Sequence, residues 1–177
     1  MKKIFITGCA KTGTTLVRRL FNSFDLIVYN RNEISLSQFI HSKHNVGKRS
    51  INEIFSNTLN ENQIKQSLKL IKNNNIIIVN VTRDKENVLK SSNGYVSEKR
   101  YDDSMAQSKK YSSYINYTIE YEKLLFDPDL MQKDISNQLN LKILHKWSEY
   151  PNFINVNEEN FKSKNYTLRP IGKPYIK

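Results

Sequence analysis

The sequence has one cysteine, four prolines, five glycines and no long apolar run. Its single thiol, Cys9, excludes an internal disulfide and a cysteine-rich metal site. The longest strongly apolar stretch, Ile76 to Val79, is far short of the ~20 residues that cross a bilayer. Near the start, Lys2-Lys3 leads into Ile4-Phe5-Ile6, well below the ~7–15 apolar residues of a secretory leader. A cytoplasmic protein without membrane contact is therefore expected. Repeats and linker-like tracts are missing too, so one domain over residues 1–177 is expected. Acidic residues are few beside basic ones, 17 against 28, for a net charge of +11. That excess suits an anionic partner: a nucleotide, a sulfated or acidic glycan, nucleic acid or a membrane surface. Charge alone does not choose among them.

Residues Ile4 to Leu20 read as strand, glycine loop and helix. Ile4-Phe5-Ile6 is apolar and β-prone, and Gly8 and Gly13 bracket Cys9, Ala10, Lys11 and Thr12. Leu16, Leu20 and Phe24 then recur every four residues, with Val17 and Phe21 beside them. Such a segment turns backbone N–H groups and a helix N-terminus toward an anion. Gly8 and Gly13 permit the tight turn, Lys11 adds a mobile cation, and Thr12, Thr14 and Thr15 add hydroxyl donors. The nucleotide-triphosphate loop needs Lys directly after its second Gly, then Ser or Thr for magnesium. Here Thr14 follows Gly13, and the lysine stands two residues before that glycine. The plain alternative is a strand–helix turn carrying a surface lysine.

Further along, strands and helices alternate. Asp25 to Tyr29 contains Leu-Ile-Val and is expected as a short buried strand; Ile34, Leu36, Phe39 and Ile40 suggest a short helix. His41 to Ser50 is basic and irregular, and is expected as a mobile surface loop. Asn60, with Gln63 at the capping-box position, opens a helix bearing Ile64, Leu68 and Ile71 on one face. Ile76 to Thr82 is the clearest strand, because continuous β-branched residues indicate burial on both faces, as in a parallel sheet. Asp84 is expected to cap a helix from Lys85 to Ser92, closed by Asn93-Gly94. Thr118 to Tyr121 reads as a further strand. Asp127-Pro128 starts a helix with Leu130, Met131, Ile135 and Leu139 on one face. Trp147 is expected in the core. The class is α/β, with a mostly parallel central sheet flanked by helices and ligands beyond the carboxyl ends of its strands.

Lys11-Thr12-Gly13-Thr14-Thr15 resembles the 5′-phosphosulfate loop of sulfotransferases that use 3′-phosphoadenosine-5′-phosphosulfate (PAPS). Arg83 at a strand end, with Ser91 eight residues later, resembles the pair that holds the cofactor's 3′-phosphate in that family. A guanidinium fork and a hydroxyl suit phosphate oxygens, although either residue alone reads better as an arginine closing a surface ion pair or a serine on a solvated helix face. Ile119-Glu120-Tyr121-Glu122-Lys123-Leu124, followed by Asp127-Pro128, resembles the family's late strand and Pro-started helix, whose tyrosine approaches the adenine. The resemblance runs from Met1 to about Leu141. It implies a single P-loop-like, sulfotransferase-like domain, PAPS as sulfuryl donor, 3′,5′-adenosine bisphosphate as product, and no metal. It also implies a cofactor site made of Gly8, Ala10, Lys11, Thr12, Gly13, Thr14, Thr15, Arg83, Ser91 and Tyr121. The family's carboxyl-terminal Arg-Lys-Gly segment is not reproduced cleanly, and Arg169 and Lys173 are the nearest equivalents for phosphate contact. Leu16 stands where many cytosolic members have an adenine-stacking tryptophan, so the adenine must be stacked from elsewhere.

The reaction implied is sulfuryl transfer to an acceptor hydroxyl or amine, with Lys11 neutralising charge on the leaving phosphate. Cytosolic members of the family take the acceptor's proton with a histidine, and the glycan-sulfating branch uses a glutamate just after the second strand. Asn32-Glu33-Ile34, following the apolar run at 25–29, resembles the latter pattern and nominates Glu33. A helix-start carboxylate favoured by the macrodipole is the plain alternative, and His41 and His44 compete for the role. The acceptor is not identified: Tyr101, Tyr111, Tyr114 and the basic stretches suit a carbohydrate, and equally suit packing. No nucleic-acid partner is expected. Two rivals stay open, a nucleotide or sugar kinase using ATP and magnesium, and a basic RNA- or polyanion-binding module.

Overall fold

Alternation of side chains along a strand sends neighbours to opposite faces, and the first strand of this chain builds two cores by that rule. In the computed structural model, which describes residues 2–29, 33–54, 61–150, 152 and 153, strand β1 spans Lys3–Gly8. Ile4 and Ile6 point into one cluster and Phe5 into another. The elements after it are α1 (Thr14–Leu20), α2 (Leu36–His41), β2 (Val46–Lys48), α3 (Ile51–Ile54) and α4 (Glu61–Asn73). Then come β3 (Ile76–Thr82), α5 (Lys85–Ser92), α6 (Glu98–Lys110), β4 (Tyr117–Glu120), α7 (Tyr121–Phe126) and α8 (Pro128–Leu139). The four strands pair in the order β2-β1-β3-β4, every pair parallel. The protein is thus α/β, with a parallel sheet flanked by helices, as the sequence pattern predicts.

On one face Ile4, Ile6, Val79, Val81 and Ile119 meet Val17 and Leu20 of α1, Ile135 of α8, and Trp147. Trp147 is fully buried, as expected, and its Nε1 donates to Leu20 O at 3.1 Å and to Ser23 Oγ at 2.8 Å. Its backbone N–H donates to Gln132 Oε1 at 3.0 Å, so a buried polar knot ties the chain beyond α8 to the end of α1. On the other face Phe5, Ile76 and Ile78 pack with Phe39 of α2, Ile51 and Ile54 of α3, and Ile71 of α4. Each fully buried Phe, Ile or Leu contributes roughly 1.5–3 kcal/mol, and these two clusters hold the sheet.

Helix starts follow the capping chemistry in the sequence. Asp84 accepts from Asn87 N at 3.1 Å, and Asp127 accepts from Leu130 N at 3.0 Å ahead of Pro128. Helix α5 ends on Asn93 in the left-handed conformation. The expected cap Asn60 lies outside the described residues, as do Asn30 to Asn32.

Three expectations are corrected. Asp25 to Tyr29 is not a strand: Val28 makes a single bridge to Val46, Ile27 is half exposed, and the Ile27 N–H goes to the Asn45 side chain. The sheet edge is instead supplied by β2, inside the stretch expected to be a mobile loop. Val46, Gly47 and Lys48 are buried there and pair with Ile4, Phe5 and Ile6. A three-residue strand with a glycine at its centre carries no periodicity to read. Third, Tyr121 opens α7 rather than ending β4. The expectations for Leu130 and the tyrosines also shift. Leu130 is exposed although Ile135 and Leu139 are buried, while Tyr101 and Tyr111 are buried packing residues rather than an acceptor surface. Among the described residues no helix is long and apolar enough to cross a membrane.

At Gly47, the centre of β2, there is no room for a side chain. A Cβ there would lie 2.8 Å from Phe39 Cδ2 and 2.9 Å from Ile34 Cγ2. Gly47→Val is expected to lower stability by ~1–3 kcal/mol through overpacking, read as a lower urea midpoint. An unchanged midpoint would mean that the segment is not packed as a strand.

Candidate nucleotide-phosphate site

Parallel strands put all their carboxyl ends on one edge, and here each of the four strands delivers a polar or aromatic side chain to that edge. After β1 the chain turns through Cys9 to Gly13 and enters α1. The turn is closed by Thr12, whose N–H and hydroxyl both donate to the Cys9 carbonyl, at 3.3 and 2.8 Å. Thr12 is fully buried, so this hydroxyl braces the loop instead of facing outward, contrary to the expectation that it would be a ligand donor. Lys11 takes the left-handed conformation at φ 69°, and its side chain is exposed. Gly13, at φ 99°, caps α1, and no side chain caps the first turn. The opening N–H groups of α1, from Thr14 and Thr15 onward, therefore have no intrahelical acceptor. Gly8 is needed for close approach, since a Cβ on it would lie 2.5 Å from the Val81 carbonyl of β3.

Arg83 follows β3 and reaches back across this loop. Its Nη1 donates to Lys11 O at 3.1 Å and to Ser91 Oγ at 3.3 Å. Its guanidinium carbon lies 4.6 Å from the centre of the Tyr121 ring, a cation–π contact. The Arg83 Nε is buried without a partner among the described residues, so the fork keeps donors to give. Tyr101 holds the backbone from the other side, its hydroxyl donating to Arg83 O at 2.7 Å. Burial, then the neighbouring Asp84 carboxylate, raises the Tyr101 phenol above its ordinary pKa, which keeps that donor protonated.

Tyr121 opens α7, directly after β4. Burial raises its phenol as well, with Arg83 pulling the other way. A Cβ on Gly13 would lie 2.4 Å from the Tyr121 ring, so ring and loop are in contact. Glu122, next in α7, accepts from Asp84 N at 3.2 Å and from Asn87 Nδ2 at 3.3 Å, locking α7 to α5. The structure thus brings together Gly8, Ala10, Lys11, Thr12, Gly13, Arg83, Ser91 and Tyr121, with Thr14 and Thr15 on the first turn of α1. Arg169 and Lys173 lie outside the described residues. Leu16 packs against the core, so it leaves the aromatic role to others.

Glu33 stands at the β2 end of the same edge. Ile34 N donates to Lys48 O at 3.3 Å, and Lys48 pairs in register with Ile6. The Glu33 carboxylate meets Lys48 Nζ at 3.1 Å; the Lys48 side chain is nearly buried and that of Glu33 is 41 % exposed. The histidines lie elsewhere. Ile4 N donates to Asn45 O, and the Lys3 ammonium donates to the carbonyls of Phe39, Ser42 and His44. His41 and His44 therefore border the amino end of β1, ~17 Å of strand away from the loop.

Sequence reasoning missed Lys48 and Tyr95. Lys48 was hidden in the unrecognised β2. Tyr95 is 62 % exposed in the α5–α6 turn, with the Arg100 guanidinium 4.9 Å and the Lys11 ammonium 5.9 Å from its ring. No local pattern marks it, because Lys11 is distant in sequence and Arg100 belongs to the next helix. Cys9 is buried, and burial raises its thiol, so it is a packing residue of the loop. No protein-family model, curated protein or solved structure matches this chain.

Gly13→Ala is expected to cost ~1–3 kcal/mol, from the positive φ and the collision with Tyr121. In a Tyr121→Ala background, which removes the ring carbons that the new Cβ meets, the collision part should disappear, so a double-mutant cycle on denaturation midpoints would show coupling. Strict additivity would mean that ring and loop are not in contact.

Proposed function

We propose that this chain is a PAPS-dependent sulfotransferase on a P-loop-like domain. The observation that carries the reading is the convergence of the Lys11 carbonyl, the Ser91 hydroxyl and the Tyr121 ring on Arg83. The residues present fit the donor. Loop N–H groups and Lys11 would take the 5′-phosphosulfate, Arg83 and Ser91 the 3′-phosphate, and Tyr121 the adenine. Arg169 and Lys173 are the further phosphate contacts in this reading.

In the transfer, the acceptor oxygen forms a bond to sulfur while the bond from sulfur to the bridging oxygen breaks. The electron pair leaves with the phosphate of adenosine bisphosphate, and the acceptor proton passes to Glu33. Lys11 and the loop amides meet the charge that grows on the bridging oxygen, which is where fixed donors lower a barrier most. Glu33 acts as general base, and Lys48, 3.1 Å away, holds it in place. His41 and His44 are too far along the sheet to share that role.

Adenosine 3′,5′-bisphosphate without magnesium should raise the melting temperature. Binding to the native state alone stabilises by ~2.7 kcal/mol at a hundredfold excess over Kd. Stabilisation by ATP with magnesium but not by the bisphosphate would replace this reading with a kinase, and a response to RNA alone would replace it with a polyanion-binding module.

The two ends of the site should separate in kinetics. With an acceptor in hand, Glu33→Gln is expected to lower turnover ~10²–10⁴-fold and leave bisphosphate affinity intact. Lys11→Ala should likewise damage kcat more than binding. Near-normal turnover in Glu33→Gln, with activity lost in His44→Ala, would reassign the base.

A further inference from the structure

Strand β4 is an edge of the sheet. Among the described residues it pairs only with β3, so alternate N–H and C=O groups face outward with no strand beside them. Along that side lies a groove of about 1020 Å³ between β4 and the helices α7 and α8. Its apolar wall is formed by Phe126, Leu130 and Met131, and Phe126 is 93 % and Leu130 64 % exposed. The groove is also acidic: Glu120, Glu122, Asp127 and Asp134 line it against one ammonium, Lys123, which pairs with Glu120 at 2.8 Å. In a chain of net charge +11 this groove has the opposite sign to the whole. An open strand edge, apolar side chains and inverted charge together fit an extended, basic and partly apolar peptide.

The chain carries such a peptide. Residues 161–177 contain Lys162, Lys164, Arg169, Lys173 and Lys177, no carboxylate side chain, and Phe161, Tyr166 and Leu168. The described chain runs to Phe153, past Tyr150, which is close enough to Tyr121 at the start of α7 to influence its phenol. The seven residues 154–160 give the segment after them a reach of at most ~23 Å from Phe153. We propose that the β4 groove is a docking site for residues 161–168 of this same chain, which would cover the open edge. Lys162 and Lys164 answer the groove carboxylates, and Arg169 and Lys173 remain for the phosphate site.

Hydrogen–deuterium exchange of the full chain tests this. Peptides covering Tyr117–Glu120 should exchange ~10-fold or more slowly in the unmodified chain than in Lys162→Glu/Lys164→Glu. Adding Glu120→Lys and Gln138→Lys to that variant should restore protection, because two groove lysines then face the two tail carboxylates; both groove positions are exposed, so they can be changed with little effect on the core. Equal exchange in the unmodified and tail-reversed chains would overturn the proposal, and so would failure of the charge swap to restore protection. Protection that rises with protein concentration, with a matching shift in sedimentation, would overturn it in favour of a second copy at the edge.

Discussion

The arrangement at the carboxyl edge of the sheet depends on one side chain, the Arg83 guanidinium. It hydrogen-bonds the Lys11 carbonyl and the Ser91 hydroxyl and lies against the Tyr121 ring. Through it the loop after β1, the end of β3, helix α5 and the start of α7 share one fixed point. A guanidinium suits this position because it is planar, keeps its charge and offers five donors, so bonds within the protein leave others for a ligand. A lysine would supply charge without the fork. The Tyr101 hydroxyl on the Arg83 carbonyl and the Glu122 carboxylate on the Asp84 N–H hold the backbone from which the fork projects.

Sheet polarity then divides the chemistry by end. Parallel pairing of all four strands puts Lys11, Lys48, Arg83 and Tyr121 at or just beyond the same edge. It sends His41 and His44 to the opposite one, where the Lys3 ammonium satisfies carbonyls at the end of α2 and in the turn after it. Glu33 comes to the carboxyl edge because its neighbour Ile34 joins the backbone of β2. Under the proposed function, the choice between a carboxylate and an imidazole as base thus rests on strand register rather than on residue chemistry.

The long elements were legible in the sequence for physical reasons. Ile76 to Thr82 is buried on both faces and reads as a parallel strand; Asp84 and Asp127 are caps with a mechanism; Trp147 follows its burial habit. The Arg83–Ser91 pair was legible because eight residues from strand end to helix face bring the two side chains within 3.3 Å. What stayed hidden depends on tertiary context. Gly47 is a strand residue only because Phe39 and Ile34 cover it, and three residues are too few to show a period. Leu26-Ile27-Val28 imitates a strand, but the Asn45 side chain takes a bond that a ladder would need. Thr12 faces the loop interior because the Cys9 carbonyl lies beneath it, a contact that spacing does not encode.

The central claim is that Arg83 and Ser91 select a 3′-phosphate. Calorimetric titration of adenosine 3′,5′-bisphosphate against 5′-AMP, on the unmodified chain and on Arg83→Ala, tests it most directly. A charge-assisted hydrogen bond is worth ~1.5–3 kcal/mol, so the unmodified chain should prefer the bisphosphate by roughly 10–150-fold. Arg83→Ala should bind the two ligands nearly alike. Equal affinities in the unmodified chain, or a preference that survives in Arg83→Ala, would contradict the account.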